Sequence, residues 1–327
     1  MNENRLKLEG IVGLLFSALL PLSAVAVPGS AATPPPMPAW QRLYVGDHAN
    51  RGNIYEIAPD GSSRVYAQIS ANAHGLAFAP DGTLYCAGGD AVWKITPTAD
   101  RSAATKENGH VLRFVEGLKN AHALARDRDG NLWLTEYFLE RLPVEKGKKE
   151  QFVPGRLTKI SPAGEKTIVE SDLVWPYGLA LGPDGDMYLA SLGKMSVFRY
   201  PAAGGEKVLV ADKIYWCRNV AFAPNGDLFA FGGHGITRIT SDGQRSMFHI
   251  FEKGKNKHPV GLAFDANGTL YTSDVRMNKD DKEDTGTIFV YAEDGSRSVF
   301  AKVGYSPFYM AFWPTKQPDT HTNKESK

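Results

Sequence analysis

Cysteine is scarce in this chain of 327 residues: Cys86 and Cys217 are too few for a disulfide scaffold and lack the spacing of a thiolate zinc site. An excess of charge of one sign is missing as well. The 37 Lys and Arg are matched by 36 Asp and Glu, a net charge of +1, which leaves no basic surplus to neutralise phosphates, so nucleic acid is excluded as a partner. No GxSxG, HExxH, P-loop or dinucleotide fingerprint occurs. Long apolar runs are confined to one place, Ile11 to Val27.

That run follows a polar start holding Arg5 and Lys7, and small-x-small patterns suited to a signal peptidase occur at Ala24-Val25-Ala26 and Gly29-Ser30-Ala31. Residues 1–31 are therefore expected to be a signal peptide. The chain is then secreted or periplasmic, with no stable membrane span after cleavage. Thr33-Pro34-Pro35-Pro36 marks residues 32–39 as a stiff leader, and residues 317–327, which offer nothing apolar to bury, read as a disordered tail. The folded body is residues 40–316.

Within the body a motif recurs every 41–55 residues, the period of a propeller blade. It reads His74-Gly75-Leu76-Ala77 with Asp81-Gly82-Thr83-Leu84-Tyr85, then His122-Ala123-Leu124-Ala125 with Asp129-Gly130-Asn131-Leu132-Trp133. Tyr177-Gly178-Leu179-Ala180, Arg218-Asn219-Val220-Ala221 and Val260-Gly261-Leu262-Ala263 continue it, each followed by Asp-Gly or Asn-Gly and a second apolar run. Phe308 to Phe312 is a sixth, partial copy. Asp-Gly and Asn-Gly tolerate the positive φ that joins twisted antiparallel strands, so each copy is a hairpin, and further strands such as Val92–Ile95 and Ile236–Ile239 follow. The expected fold is all-β, a six-bladed propeller with four antiparallel strands per blade.

The ends of the body are complementary. The last copy supplies one strand, and the N-terminal runs Leu43–Asp47, Asn53–Ile57 and Ser63–Tyr66 supply the three it lacks. A blade shared between the termini closes the ring and hides both sheet edges.

Antiparallel geometry then places the residue before each first strand and the residue ending each second strand on one rim of the central channel. The first set is His74, His122, Tyr177, Arg218, Val260 and Phe308; the second is Gly88, Glu136, Ser191, Gly232, Asp274 and Asp47, with His48 and His234 just beyond. Polar groups converging on a concave mouth make a small-molecule pocket. Glu136, Asp274 and Asp47 are candidate ligands for Ca²⁺ or Mg²⁺, with His122 or His74 as catalytic base, while His with carboxylate would equally suit a transition metal. Tyr177, Ser191 and Arg218 are candidate substrate contacts, Arg218 for an anionic group. A propeller that binds a ligand or a protein partner without catalysis is the alternative reading. The insertion from Phe138 to Pro154 begins beside Glu136 and is placed to cover part of this rim.

Tyr177-Gly178-Leu179-Ala180-Leu181-Gly182-Pro183-Asp184-Gly185-Asp186-Met187-Tyr188 and Asp129-Gly130-Asn131-Leu132-Trp133-Leu134-Thr135-Glu136 resemble the six-bladed superfamily of NHL repeats, gluconolactonase/regucalcin-like lactonases and streptogramin B lyases. The gluconolactonase metal set is not matched: no Glu-Gly-Pro occurs, Tyr177 stands for its Asn and Ser191 for its Asp. The lyase pattern fits better, with His122 and Glu136 at corresponding positions. The resemblance implies a metal-assisted lactone or ester hydrolase or lyase, in which a divalent cation polarises the ester and a histidine removes a proton.

Overall fold

A computed structural model describes residues 32–48, 52–137, 141–142, 151–251, 258–275, 286–303 and 306–314. The expected export segment and the polar tail lie outside the described residues. So does most of the insertion after Glu136, of which Arg141–Leu142 paired with Gln151–Phe152 is seen as a short hairpin.

The described body holds six four-stranded antiparallel sheets and no helix. The first blade runs Leu76–Phe78, Leu84–Gly88, Ala91–Ile95, Val111–Val115. The second is Ala121–Arg126, Leu132–Glu136, Gly155–Ile160, Lys166–Leu173. The third is Pro176–Leu181, Met187–Ser191, Ser196–Tyr200, Val208–Ala211. Asn219–Phe222, Leu228–Gly232, Gly235–Ile239 and Arg245–Ile250 form the fourth. His258–Phe264, Leu270–Val275, Gly286–Tyr291 and Arg297–Val303 form the fifth.

The sixth blade is the shared one: Pro307–Trp313 pairs with Arg42–Asp47, in the register Arg42 to Trp313 and Val45 to Met310, and Asn53–Ile57 and Ser63–Gln68 complete the sheet. The first strands touch in sequence around the ring and the last touches the first, so the ring is closed. This is the closure expected from the two half-blades.

Second strands are apolar on both faces because a blade is covered by a neighbour on each side. Leu132–Glu136 and Leu228–Gly232 are buried throughout. The core accordingly divides into slabs between blades. Cys86 and Trp93 of the first blade meet Tyr44 and Ile54 of the sixth, while Cys217 and Val220 of the fourth meet Tyr188 and Val197 of the third. Both cysteines are buried free thiols. The Asp-Gly turns have the conformation their sequence demands, with Gly130 at φ 88° and Gly185 at φ 89°.

The leader packs onto this body. Met37 is buried, the Pro36 carbonyl accepts from Asn267 Nδ2 at 3.2 Å, and Gln41 Nε2 donates to the Pro314 carbonyl at 3.0 Å.

Candidate functional site

The glycine of the repeat motif has a structural purpose that also builds the site. Gly75 N donates to the His122 carbonyl at 2.7 Å, and a Cβ on Gly75 would lie 2.3 Å from Leu124 N. The first blade thus grips the next one's rim residue by its backbone. At three other junctions a side chain makes the bond: Thr135 Oγ1 donates to the Tyr177 carbonyl at 2.9 Å, Asn219 Nδ2 to the Val260 carbonyl at 2.8 Å and Ser273 Oγ to the Phe308 carbonyl at 2.6 Å. Side chains at the rim therefore project from a fixed frame.

On that frame His74, His122, Tyr177 and Arg218 come together as the repeat alignment expects, joined by His48, Tyr137, Phe308 and Tyr309. The His74 ring lies 5.2 Å from that of His122, which lies 4.3 Å from Tyr177, and Phe308 is within 5.5 Å of His48, His74 and His122. His48 Nδ1 is 2.8 Å from His74 Nε2. Tyr309 Oη is 3.2 Å from His122 Nδ1.

These contacts assign protons. His74 Nδ1 faces the Ala121 carbonyl at 3.3 Å, an acceptor only, so Nδ1 carries the hydrogen and neutral His74 offers its lone pair at Nε2. His48 Nδ1 must then donate to it. The remaining lone pair, on His48 Nε2, belongs to an exposed ring at the outer end of the chain. Burial, with His48 nearby, lowers the pKa of His74 to about 4. Burial also holds His122 well below the ordinary imidazole value, and partial desolvation of the His48 ring, which lies against His74 and Phe308, lowers His48 against an opposing pull from Asp47. All three rings are neutral at pH 7.

His122 is placed differently from the expected base. It is 3% exposed, and its ring hydrogen-bonds the Tyr177 backbone as well as Tyr309. Across the cluster, burial pushes the Tyr177 hydroxyl up to about 12 and raises Tyr309 and Tyr137 as well. Arg218 is lowered by burial but interacts favourably with these three phenols, and its guanidinium carbon lies 5.0 Å over the Trp216 ring. The site therefore has a basic nitrogen at one end and a cation among phenols at the other.

The expected metal group is not assembled. Glu136 is fully buried with its carboxylate committed to Arg156 Nη2 at 2.7 Å, Thr158 Oγ1 at 2.9 Å and the Lys119 backbone N at 2.7 Å. It locks the second blade. Asp47 and Asp274 are buried in the sixth and fifth blades, and among the described residues no three His, Cys, Asp or Glu side chains stand together as a metal site. The donor set does not fit a divalent cation. Ser191 holds loops rather than facing the cluster, its Oγ donating to the Val174 carbonyl at 2.9 Å and accepting from Lys194 N at 3.2 Å.

No family model and no curated protein sequence matches the chain. Solved structures do. A chain of a nidogen–laminin complex superposes with a TM-score of 0.63 at 13% identity, over 83% of this chain and 98% of that one. A Xanthomonas campestris gluconolactonase gives 0.55 at 19%, over 76% and 96%, and a streptogramin B lyase 0.55 at 14%, over 83% and 92%. A regucalcin from Agrobacterium tumefaciens, described as calcium-binding, has the same fold, with a TM-score of 0.53 at 16% identity over 76% and 85%. At these identities the likeness is one of fold, the propeller expected from the repeat.

Proposed function

We propose that the chain is a hydrolase or lyase that opens an ester or lactone of a small molecule at this rim, with His48 as the general base. The observation that carries the reading is the 2.8 Å His48–His74 contact, which orients His48 and, in the tautomer that donates to His74, puts the lone pair of this exposed residue on Nε2. His74 is a positioning residue, as the third member of a hydrolytic triad is. In the hydrolytic form His48 takes a proton from water as its oxygen adds to the carbonyl, and the proton passes to the departing alkoxide. In elimination His48 takes a proton from the carbon next to the one bearing the ester oxygen, and the carboxylate leaves with the C–O electron pair. Arg218 and the phenols of Tyr137, Tyr177 and Tyr309 lie where negative charge on oxygen is best tolerated.

Two structures of this fold, a gluconolactonase and a streptogramin B lyase, support this class of reaction. A divalent cation, suggested by the calcium-binding relative, is given no step, because Glu136 is spent on Arg156 and Thr158. Export is proposed from the N-terminal sequence alone.

A panel of lactones and carboxylic esters incubated with the purified chain, with products read by NMR, tests the reading. Turnover of a member of the panel is expected. Absence of turnover across the panel would favour the second reading, a binding propeller, for which the likeness to a chain of the nidogen–laminin complex speaks.

A further inference from the structure

The first strands of the second, third, fifth and sixth blades are bulged at the rim, so that two residues face one on the neighbouring strand. In the second, third and fifth blades the second residue of the pair is small, Ala123, Gly178 or Gly261. In the sixth the pair is Phe308 and Tyr309, which together face Gly46. Neighbours in a regular strand point to opposite faces, but a bulge re-aims them. Both rings accordingly reach one imidazole, Phe308 at 5.5 Å from His122 and Tyr309 at 5.3 Å.

Phe308 is 5% exposed and meets each histidine of the cluster differently. It stands edge-on to His122 at 85°, is tilted by 36° to His74, and lies nearly parallel to His48, at 16° and 4.8 Å. The last contact matters because His48 is exposed and is not enclosed by packing. Its backbone N–H donates to the Ser306 carbonyl at 3.0 Å, which ties it to the chain two residues before Phe308. Two side-chain contacts then set the direction of the ring. The face of Phe308 sets its plane, since stacked rings lose contact when one tilts away. It does not choose between the two orientations related by a half-turn about Cβ–Cγ, as both lie in that plane. The bond to His74 makes that choice: one orientation brings Nδ1 to 2.8 Å from His74 Nε2, and the other would put a carbon there. Plane and edge together direct Nε2.

We infer that Phe308 is a positioning residue for the reaction proposed above, its face holding the His48 imidazole in the plane from which Nε2 meets the substrate. This rests on the reading of His48 as the base. The base belongs to the N-terminal part of the shared blade and its clamp to the C-terminal strand, so closing the ring also assembles the base. Being buried, Phe308 acts through His48 and not on the substrate.

The test uses Phe308→Leu, which keeps an apolar side chain and removes the flat face. Ring nitrogen NMR of the full chain labelled with ¹⁵N-histidine at pH 7.5, with His48 assigned from its absence in His48→Gln, reads the orientation without turnover. In the unsubstituted chain His48 is expected to show a protonated Nδ1 and an unprotonated Nε2. In Phe308→Leu its two nitrogens are expected to move toward the averaged values of a free imidazole, while those of His74 stay in place. On a responsive ester or lactone kcat is expected to fall roughly 2- to 10-fold with KM unchanged, the scale of one aromatic stacking contact. Unchanged His48 signals in Phe308→Leu, or averaged ones already in the unsubstituted chain, would overturn the clamp. Averaging of His48, His74 and His122 together with a lowered unfolding temperature would assign Phe308 to packing and overturn it too. A His48 signal that depends on Phe308 in a chain that opens no ester keeps the clamp and loses the proposed reaction; turnover with His48 signals indifferent to Phe308 does the reverse.

Discussion

His48 Nδ1 and His74 Nε2 face each other at 2.8 Å, and the Ala121 carbonyl on the far side of His74 fixes which ring donates. Protonation of His74 would reverse this bond: its Nε2–H would donate to His48 Nδ1, the His48 hydrogen would move to Nε2, and the lone pair of the proposed base would be lost.

This makes stability depend on pH with a definite sign. The pKa of His74 is lowered from 6.5 to about 4 on folding, so between these values the unfolded chain holds more protons than the folded one. Stability is full above pH 6.5 and is lost as pH falls toward 4. His122 and His48, both lowered, act in the same direction. Thermal unfolding is expected to drop by roughly 5 °C between pH 7.5 and 4.5, with a shallower fall in His74→Gln.

The same lowering of His48 sets the pH profile of catalysis. A base with a lowered pKa keeps working in mild acid, so kcat/KM is expected to decline only below the ordinary imidazole value of 6.5. Rates measured from pH 5 to 8 check this. A decline centred above pH 7 would contradict it.

Glu136 is expected to matter for stability and not for a cation. Glu136→Ala leaves Arg156, Thr158 and the Lys119 amide without their shared acceptor, at a cost of about 2–4 kcal/mol; Arg156 keeps some access to water, which favours the lower part of that range. Denaturant unfolding measures it. A chelator is expected to leave the turnover of the unsubstituted chain unchanged.

Gly75→Ala tests the frame beneath the site. The new Cβ meets backbone atoms of Leu124, Ala123 and His122 at 2.3–2.7 Å, and backbone cannot move aside as a flexible side chain does. A loss of about 3 kcal/mol is expected in denaturant unfolding, at the upper end for overpacking. Gly243→Ala, on an open turn with nothing within 4 Å, is not subject to this clash.

The fold was legible in the sequence because a blade is a short, local unit: the X-Gly-Leu-Ala strand, the Asp-Gly turn and the complementary half-blades are each read within a few residues. The rim positions of His74, His122, Tyr177 and Arg218 followed from counting along those strands. What they do there did not follow. Whether Glu136 faces a cation or Arg156 depends on a partner 20 residues away in another strand, and the exposed Nε2 of His48 depends on a proton arrangement running through His74 to Ala121. Tyr137 follows the second strand of the blade that holds His122, one residue beyond the aligned position, and Tyr309, in the partial sixth copy, reaches His122 only because the ring closes.

The most direct measurement is the turnover of a responsive ester or lactone by the unsubstituted chain, by His48→Gln and by His249→Gln, whose ring sits on the outer strand of the fourth blade against the Gly295 carbonyl. His48→Gln is expected to lose about 10²–10⁴-fold in kcat/KM, the range for removing a general base, with its fold intact and with His249→Gln unaffected. Equal rates in all three proteins would show that the His48–His74 pair takes no part in the chemistry.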